Sequence, residues 1–546
     1  MMAHRGIGKR WTIGDGAAWS FVNGRWADGS GGEILLQEGE RQNGVVYDDQ
    51  SRVFVAVRHD RVYGDFSATF RFQARSGHNG VRLLFRLQDM GRYYALDMPW
   101  CGQQARNRHM WAGLILADGT PLQRYLQFGL VRELTPRTHH WYEGRVEGTG
   151  SRIRAWIEGR LVVDAQDTTY EAGLLGIMGI TPAGHGCVTD FADLEVGGAH
   201  QPPRAWKGLA PLPPHWVTPC PETDPDTYQG YPSIIRSASG LLTAGVPFHN
   251  PGGPEEPRYL KWVRSRDHGR TWSKPEPATL HKAFGTNFVQ QDGTWVTLHT
   301  RPGARGPGAF YTYTSSDDGR TWQGPHPLTV TGAWPDELTE AGPSGQPLRL
   351  RDGTLLVPLM CQREFRDYVN AMVSTNYVLR STDDGQTWEA PAWCDANNSR
   401  EALFCVGNFS EIGLAETEDN VVIGYGRPGP WPYMWRVQSN DGGRTWEPAA
   451  FGAFPGYCST LTRTASGALV AVHRFPYLGA NLSWDNGITW DAGTILDYPL
   501  WANHQALEVE PDVVLVNYMG YLGRPGQADR RVLRVRATPS GLVVDP

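Results

Sequence analysis

The chain has 546 residues, 51 of them Lys or Arg and 57 Asp or Glu, for a net charge of −6. That balance argues against nucleic acid or an anionic membrane as the main partner, and the length is too great for one hydrophobic core, so two or more domains are expected. With 65 Gly, 39 Pro, 22 Trp and an aromatic share of 11%, the composition fits a turn-rich, all-β protein.

Seven Cys are scattered, odd in number and without metal-ligand spacing, which speaks against a structural zinc site and a disulfide framework; no metal or cofactor is expected. No run of 18 apolar residues occurs and the first residues lack an apolar signal core, so the chain reads as cytoplasmic as written, or secreted if a signal was removed.

Residues 1–198 read as a separate β-domain. The segments 65–72 and 152–157 alternate apolar and polar residues, and Glu158-Gly159 marks a hairpin turn. Trp100, Trp111, Tyr93 and Tyr94 are candidates to stack on a sugar ring, or else belong to the core. The Pro-rich stretch 199–214 is the linker to a second domain, 215–546.

The second domain is punctuated by one pattern, S-x-D-x-G-x-T-W, which begins at Ser265, Ser315, Ser381, Ser439 and Ser483. The spacing is too irregular for a solenoid but suits four-stranded blades with variable loops. An Asp two residues before a Gly suits a tight turn in which the carboxylate accepts backbone N–H bonds, Gly supplies positive φ and the Trp anchors the turn. The five Asp residues are thus expected to be structural. A ring of blades must close, so a strand from one end of the domain is expected to complete a blade begun at the other; the domain is read from about Tyr228.

These motifs are Asp-boxes, and residues 215–546 resemble the sialidase (BNR repeat) superfamily, which implies a six-bladed β-propeller: five blades with a box and a closing blade without one. The first domain, through segments 80–98, 139–167, 173–179 and 191–196, resembles a concanavalin-like jelly roll of the laminin-G or family-66 carbohydrate-binding type. The expected fold is therefore an N-terminal jelly-roll β-sandwich followed by a sialidase-like propeller.

The resemblance also implies a site at the mouth of the propeller. Glu411, in Asn408-Phe-Ser-Glu, matches the family's carboxylate that activates a nucleophile; Arg427 and Arg474 match its second and third substrate-binding Arg. The departures are specific. Gly230-Tyr231-Pro232 stands where the family has an Arg-Ile-Pro segment, so the first Arg is missing and Tyr231 is a candidate substrate contact there, while His504 falls where the family has its nucleophilic Tyr. His249 and Glu255 lie near the place of the family's acid, and Arg301 is a further candidate.

Each has a bland alternative: Glu411 and Arg427 as a plain ion pair, Arg474 as a brace, His504 as a core histidine. The expected activity is that of an exo-acting glycoside hydrolase on a non-sialic, acidic, uronate-containing oligosaccharide or polysaccharide. The alternatives are a rhamnose–glucuronate type lyase with His504 as base, a glycan-binding protein without turnover, and a protein-interaction scaffold. The oligomeric state is left open.

Overall fold

Alternation builds the strands of the N-terminal unit. In Phe66–Ala74 every second residue, from Phe66 to Ala74, is buried, and Tyr142–Thr149 and Arg152–Ile157 show the same period. The computed structural model describes residues 18–546 except 23–24, 29–33, 38–52, 76–79, 100–108, 181–188, 204–207, 209–213, 221–227, 230–231, 250–258, 281–285, 302–305, 336–340, 366–370, 395–409, 428–431, 458, 499–502 and 522–527. Among the described residues there is no α-helix.

Two compact units are present: residues 1–215 with 492–498 and 523–525, and residues 216–491, 499–522 and 526–546. The first is a β-sandwich. One sheet has seven strands, with Phe66–Ala74 at its centre between Tyr142–Thr149 and Thr189–Gly197. The facing sheet carries Val53–Tyr63, Gly173–Ile180, Gly80–Asp89, Arg92–Met98, Met110–Asp118 and Gln123–Val131 in that order, and Thr494–Asp497 pairs onto the last. Phe66, Phe70 and Phe72 of one sheet pack with Phe85, Tyr94 and Leu96 of the other in a single core.

Within the facing sheet a charged pair is wholly enclosed. Arg82 and Asp97 are both 0% exposed, with Arg82 Nε donating to Asp97 Oδ1 at 2.7 Å. Arg82 Nη1 also donates to Tyr498 Oη at 2.8 Å and Gln123 Oε1 at 3.2 Å, while Tyr125 Oη donates to Asp97 Oδ2 at 2.6 Å.

The aromatics proposed for sugar stacking are part of this interior. Trp111, Tyr93 and Tyr94 are at most 1% exposed; Trp111 stacks on Phe128 and Tyr94 donates to Asp167 Oδ1. Buried on both sides, they offer no ring face to a ligand. Trp100 lies outside the described residues.

The second unit is a six-bladed propeller. Counting from the inner strand, blade 1 contains Ser233–Arg236, Leu242–His249 and Tyr259–Ser265, and blade 2 Thr286–Val289, Trp295–Thr300 and Phe310–Ser315. Blade 3 is built on Leu348–Arg349, Leu355–Phe365 and Ala371–Ser381, blade 4 on Ser410–Glu418, Val421–Arg427 and Trp435–Ser439. Blade 5 has Thr460–Arg463, Leu469–His473 and Leu478–Ser483; blade 6 has His504–Glu510, Val513–Tyr521 and Ala528–Thr538. A box follows the third strand of each of the first five.

Every box is closed by the same Ser, Asp, Gly and Thr bonds, and all but the fourth also by a Trp indole on the Gly carbonyl. In the third, Ser381 Oγ donates to Asp383 Oδ1 and accepts the Gly385 N–H, while the Thr387 N–H and hydroxyl donate to the two oxygens of Asp383. The Trp388 indole N–H caps the Gly385 carbonyl at 3.2 Å. The glycine is needed twice over: its φ lies between +79° and +90° in all five boxes. A Cβ there would also come within 2.9 Å of Leu515, Trp262, Phe288, Leu356 or Ile423, always in the preceding blade around the ring.

The ring closes as a shared blade. Val217–Cys220 pairs antiparallel with Ala528–Thr538, so a strand lying before the expected start at Tyr228 completes blade 6. Behind it Cys220 and Val532 pack with Leu242, Val246 and Leu515 in one core across the seam. Charges reinforce it: Arg270 of the first box reaches Glu510 at 2.7 Å and Asp545 at 3.4 Å, and Arg534 also binds both.

The boxes predict how the propeller responds to acid. The N–H of Thr321, then its hydroxyl, hold the Asp317 carboxyl at about 2. In Asp267 burial works in the opposite direction, but the bonds from Thr271 outweigh it and the value is again about 2. The other three box carboxyls are lowered too. Since the unfolded chain takes up protons near pH ~4, this stability is complete above that value and lost as pH falls through about 2. The propeller's melting temperature should thus hold down to pH ~4 and fall below it, with a shallower fall in Asp317→Asn. Equal slopes in the two proteins would contradict this account.

Candidate active site

Antiparallel pairing brings the end of each blade's second strand back beside the start of its inner strand, so residues at these two places share one rim. In blade 4 the pair is Ser410 with Arg427. The register then slips between Ser410 and Gly413, and Glu411, inside the slip, has φ +52°. A bulge of this kind re-aims a side chain, and a non-glycine residue held in the left-handed region is strained. Here it directs the carboxylate toward two guanidiniums.

Glu411 Oε2 accepts from Arg427 Nη1 at 2.7 Å, and Oε1 lies 3.6 Å from Arg474 Nη2. Arg474 follows the second strand of blade 5; its Nη1 donates to Asn503 Oδ1 at 2.5 Å and its backbone N–H to the Tyr457 carbonyl at 3.1 Å. The Arg427 guanidinium lies 5.4 Å from the Tyr457 ring centre, a cation–π distance. The side chains of Glu411 and Arg427 are 24% and 18% exposed, that of Arg474 only 6%. Blades 4, 5 and 6 therefore meet in a cluster of two guanidiniums around one carboxylate, open on the Glu411–Arg427 side.

His504 is placed differently from the expectation of an imidazole at the mouth. It is 7% exposed and its Nε2 lies 2.9 Å from the Val472 carbonyl; a carbonyl can only accept, so Nε2 carries the proton. Nearby His473 is buried as well, and burial pushes it down to about 4, against the bond to Asn481; the His504 charge lowers it further. The environment of His504 is that of a core histidine. Asn503, one residue earlier, is what meets Arg474.

Two of the remaining candidates, Arg301 and His249, lie at the ends of second strands, as Arg427 does. Arg301 follows the second strand of blade 2, is exposed, and lies 5.5 Å over the Tyr311 ring. His249 ends the second strand of blade 1, the position Arg427 holds in blade 4. Tyr231 and Glu255 lie outside the described residues. Among the described residues no three His, Cys, Asp or Glu side chains group as metal ligands.

Sequence reasoning missed Asn503 and Tyr457. Asn503 was next to a residue singled out on motif register, while Tyr457 sits in the connection into blade 5 with no motif around it.

Comparison with known proteins bears on this architecture. The sequence matches the BNR repeat-like domain over residues 223–407 and 288–499, together just over half of the chain. No curated protein matches. Among solved structures, the Hadza microbial sialidase Hz136 aligns at 15% identity over 93% of this chain and 98% of its own, with a TM-score of 0.48. The NanB sialidase of Streptococcus pneumoniae aligns at 12% identity over 86% of this chain and 94% of its own, with a TM-score of 0.44. The carbohydrate-binding module CBM66 of Bacillus subtilis aligns at 17% identity with 33% of this chain and 96% of its own, with a TM-score of 0.23. On the sequence match, the chain belongs to the BNR repeat-like domain family.

Proposed function

We propose that the propeller is a carbohydrate-active enzyme, an exo-acting glycoside hydrolase whose mouth takes a uronate-containing glycan in place of ordinary sialic acid. The observation that supports this reading is the cluster of Arg427 and Arg474 about Glu411. Guanidinium forks grip carboxylates bidentately, and two of them sharing one protein carboxylate make a grip suited to a second, incoming one. Glu411 on the open side is the base or activator, and a carboxylate of the first-blade loop, Glu255, is the acid; hydrolysis then follows two-carboxylate logic. The lyase alternative needs His504 as base at the mouth, and its burial weighs against that role.

The test is incubation of the full chain with a panel of uronate-containing and neutral glycans, read for released reducing sugar and for the absorbance of an unsaturated uronate. Sugar release without the chromophore is expected; the chromophore would mean elimination, and neither signal a binder. A fluorogenic N-acetylneuraminide should be left uncleaved, because Gly230-Tyr231-Pro232 supplies no counterpart of the family's first Arg. Turnover of it at about 1 per second or more would overturn the assignment of a non-sialic substrate.

A further inference from the structure

The same inner strands line a second place of interest, which runs along them to their far ends. A cavity of about 510 Å³ lies between the inner strands of blades 3, 4, 5 and 6, with Arg351, Glu416, Arg463 and Glu508 in its wall. Glu416 is on the same strand as Glu411, five residues on, so at ~3.3 Å per residue the two carboxylates are about 17 Å apart along it, with Gly413 and Leu414 of the cavity wall between them.

The carboxylates of this wall are committed to the fold. Glu416 accepts the N–H of Arg351 from the preceding blade at 2.8 Å and of Asn420 from its own turn at 3.1 Å. Glu508 repeats the device one blade further from Glu416's neighbour, accepting the N–H of Ala465 at 2.7 Å and of Asp512 at 2.8 Å. Arg349 is likewise spent, on Asp384 at 2.6 Å and on the carbonyls of Gly353 and Val289. Arg351 is held by Asp419 at 2.7 Å and lies 4.0 Å from Glu416.

Arg463 stands apart from these. Among the described residues it has no carboxylate within 4 Å, and its hydrogen bond goes to the neutral amide of Asn486 at 2.8 Å. Burial, and then the neighbouring Arg351 charge, work against its own charge, and the Glu416 and Glu418 carboxylates offset this in part. A half-buried guanidinium beside a second one, with no carboxylate in direct contact, leaves room for an anion to complete it. Thr462 and Thr464 on either side add hydroxyls to the wall, and the volume is within the range of small-molecule sites.

We propose that this cavity is a binding site for a small oxyanion-bearing molecule, a carboxylate or sulfate no larger than a sugar acid, held by Arg463 with Arg351 beside it. Arg463 is at the end of its strand away from the mouth, and the site does not depend on the activity assigned there. The full chain would be titrated calorimetrically with sodium sulfate and, separately, with glucuronate. Saturable binding of one or both is expected, weakened about 10-fold or more in Arg463→Gln, the loss typical of a charged hydrogen bond. Arg463→Lys, which keeps the charge without the fork, should fall between, and covers the case in which the Gln variant does not fold.

Arg427→Gln, at the mouth, should leave binding at Arg463 unchanged. Binding of glucuronate alone would point to recognition of the sugar ring, and binding of both probes to the oxyanion itself; either supports the site. No saturable binding of either probe, or equal affinity in wild type and Arg463→Gln, would overturn it.

Discussion

Replacing Glu411 by Gln should lower kcat by about 10²–10⁴-fold on whichever glycan the wild-type chain cleaves, the range usual for loss of a general acid or base. The side chain keeps its shape, and Arg427 keeps an oxygen to bond to, so the fold should survive. If Glu411 served only as the counter-charge of Arg427 and Arg474, the melting temperature would drop while kcat of the folded fraction stayed the same. Both readouts on one preparation separate the two roles. The bulge supplies an independent check, because φ is +52° at this residue. An Ala there keeps the left-handed penalty that a Gly escapes, so Glu411→Gly should be more stable than Glu411→Ala by about 1 kcal/mol. Equal stabilities would mean the strain at Glu411 is not present in solution.

The largest effect on stability is expected in the other unit. Asp97→Asn leaves Arg82 charged and 0% exposed, held by neutral partners such as Tyr498 and Gln123. Breaking one side of a buried ion pair costs about 3–5 kcal/mol. For a unit of this size that is a fall of roughly 10 °C in its unfolding transition. The double variant Arg82→Met with Asp97→Asn should be less destabilised than the single one, since the uncompensated charge goes with it. Calorimetry of the three proteins would show this order, and a double variant weaker than the single would refute the orphan-charge argument.

How much could be read beforehand depended on how local each feature is. An Asp-box closes its hydrogen bonds within eight residues, so its turn, its glycine and its Trp are all written in one short string, and the number of blades followed. That Glu411, Arg427 and Arg474 meet follows from strand ends held at fixed places. His504 failed by a single step. Along His504–Glu510 the buried face begins with His504 and Ala506, so its neighbour Asn503 points the other way, and a slip of one residue exchanges core for mouth.

Burial on both faces hid the role of Tyr93, Tyr94 and Trp111. Arg92–Met98 has six buried residues in succession and carries no alternation from which a face could be chosen. Nor does any local pattern mark Thr494–Asp497, inside the propeller's stretch of sequence, as a strand that pairs with Gln123–Val131. Pairing between distant segments leaves no periodic trace in either one.

The shared sixth blade has a consequence for biosynthesis. Val217–Cys220 has its partner in Ala528–Thr538, about 300 residues later in translation. At about 5–20 residues per second, the growing chain carries that strand for roughly 15–60 seconds before its partner has been made. An unpaired edge on a ribosome-bound chain is a template for the wrong neighbour, including the same strand of an adjacent nascent chain on the polysome. Blades 1 to 5 each draw their core strands from one continuous stretch and can form as they emerge, so the emergence of Ala528–Thr538, rather than any earlier blade's own folding, sets the moment at which the ring can close.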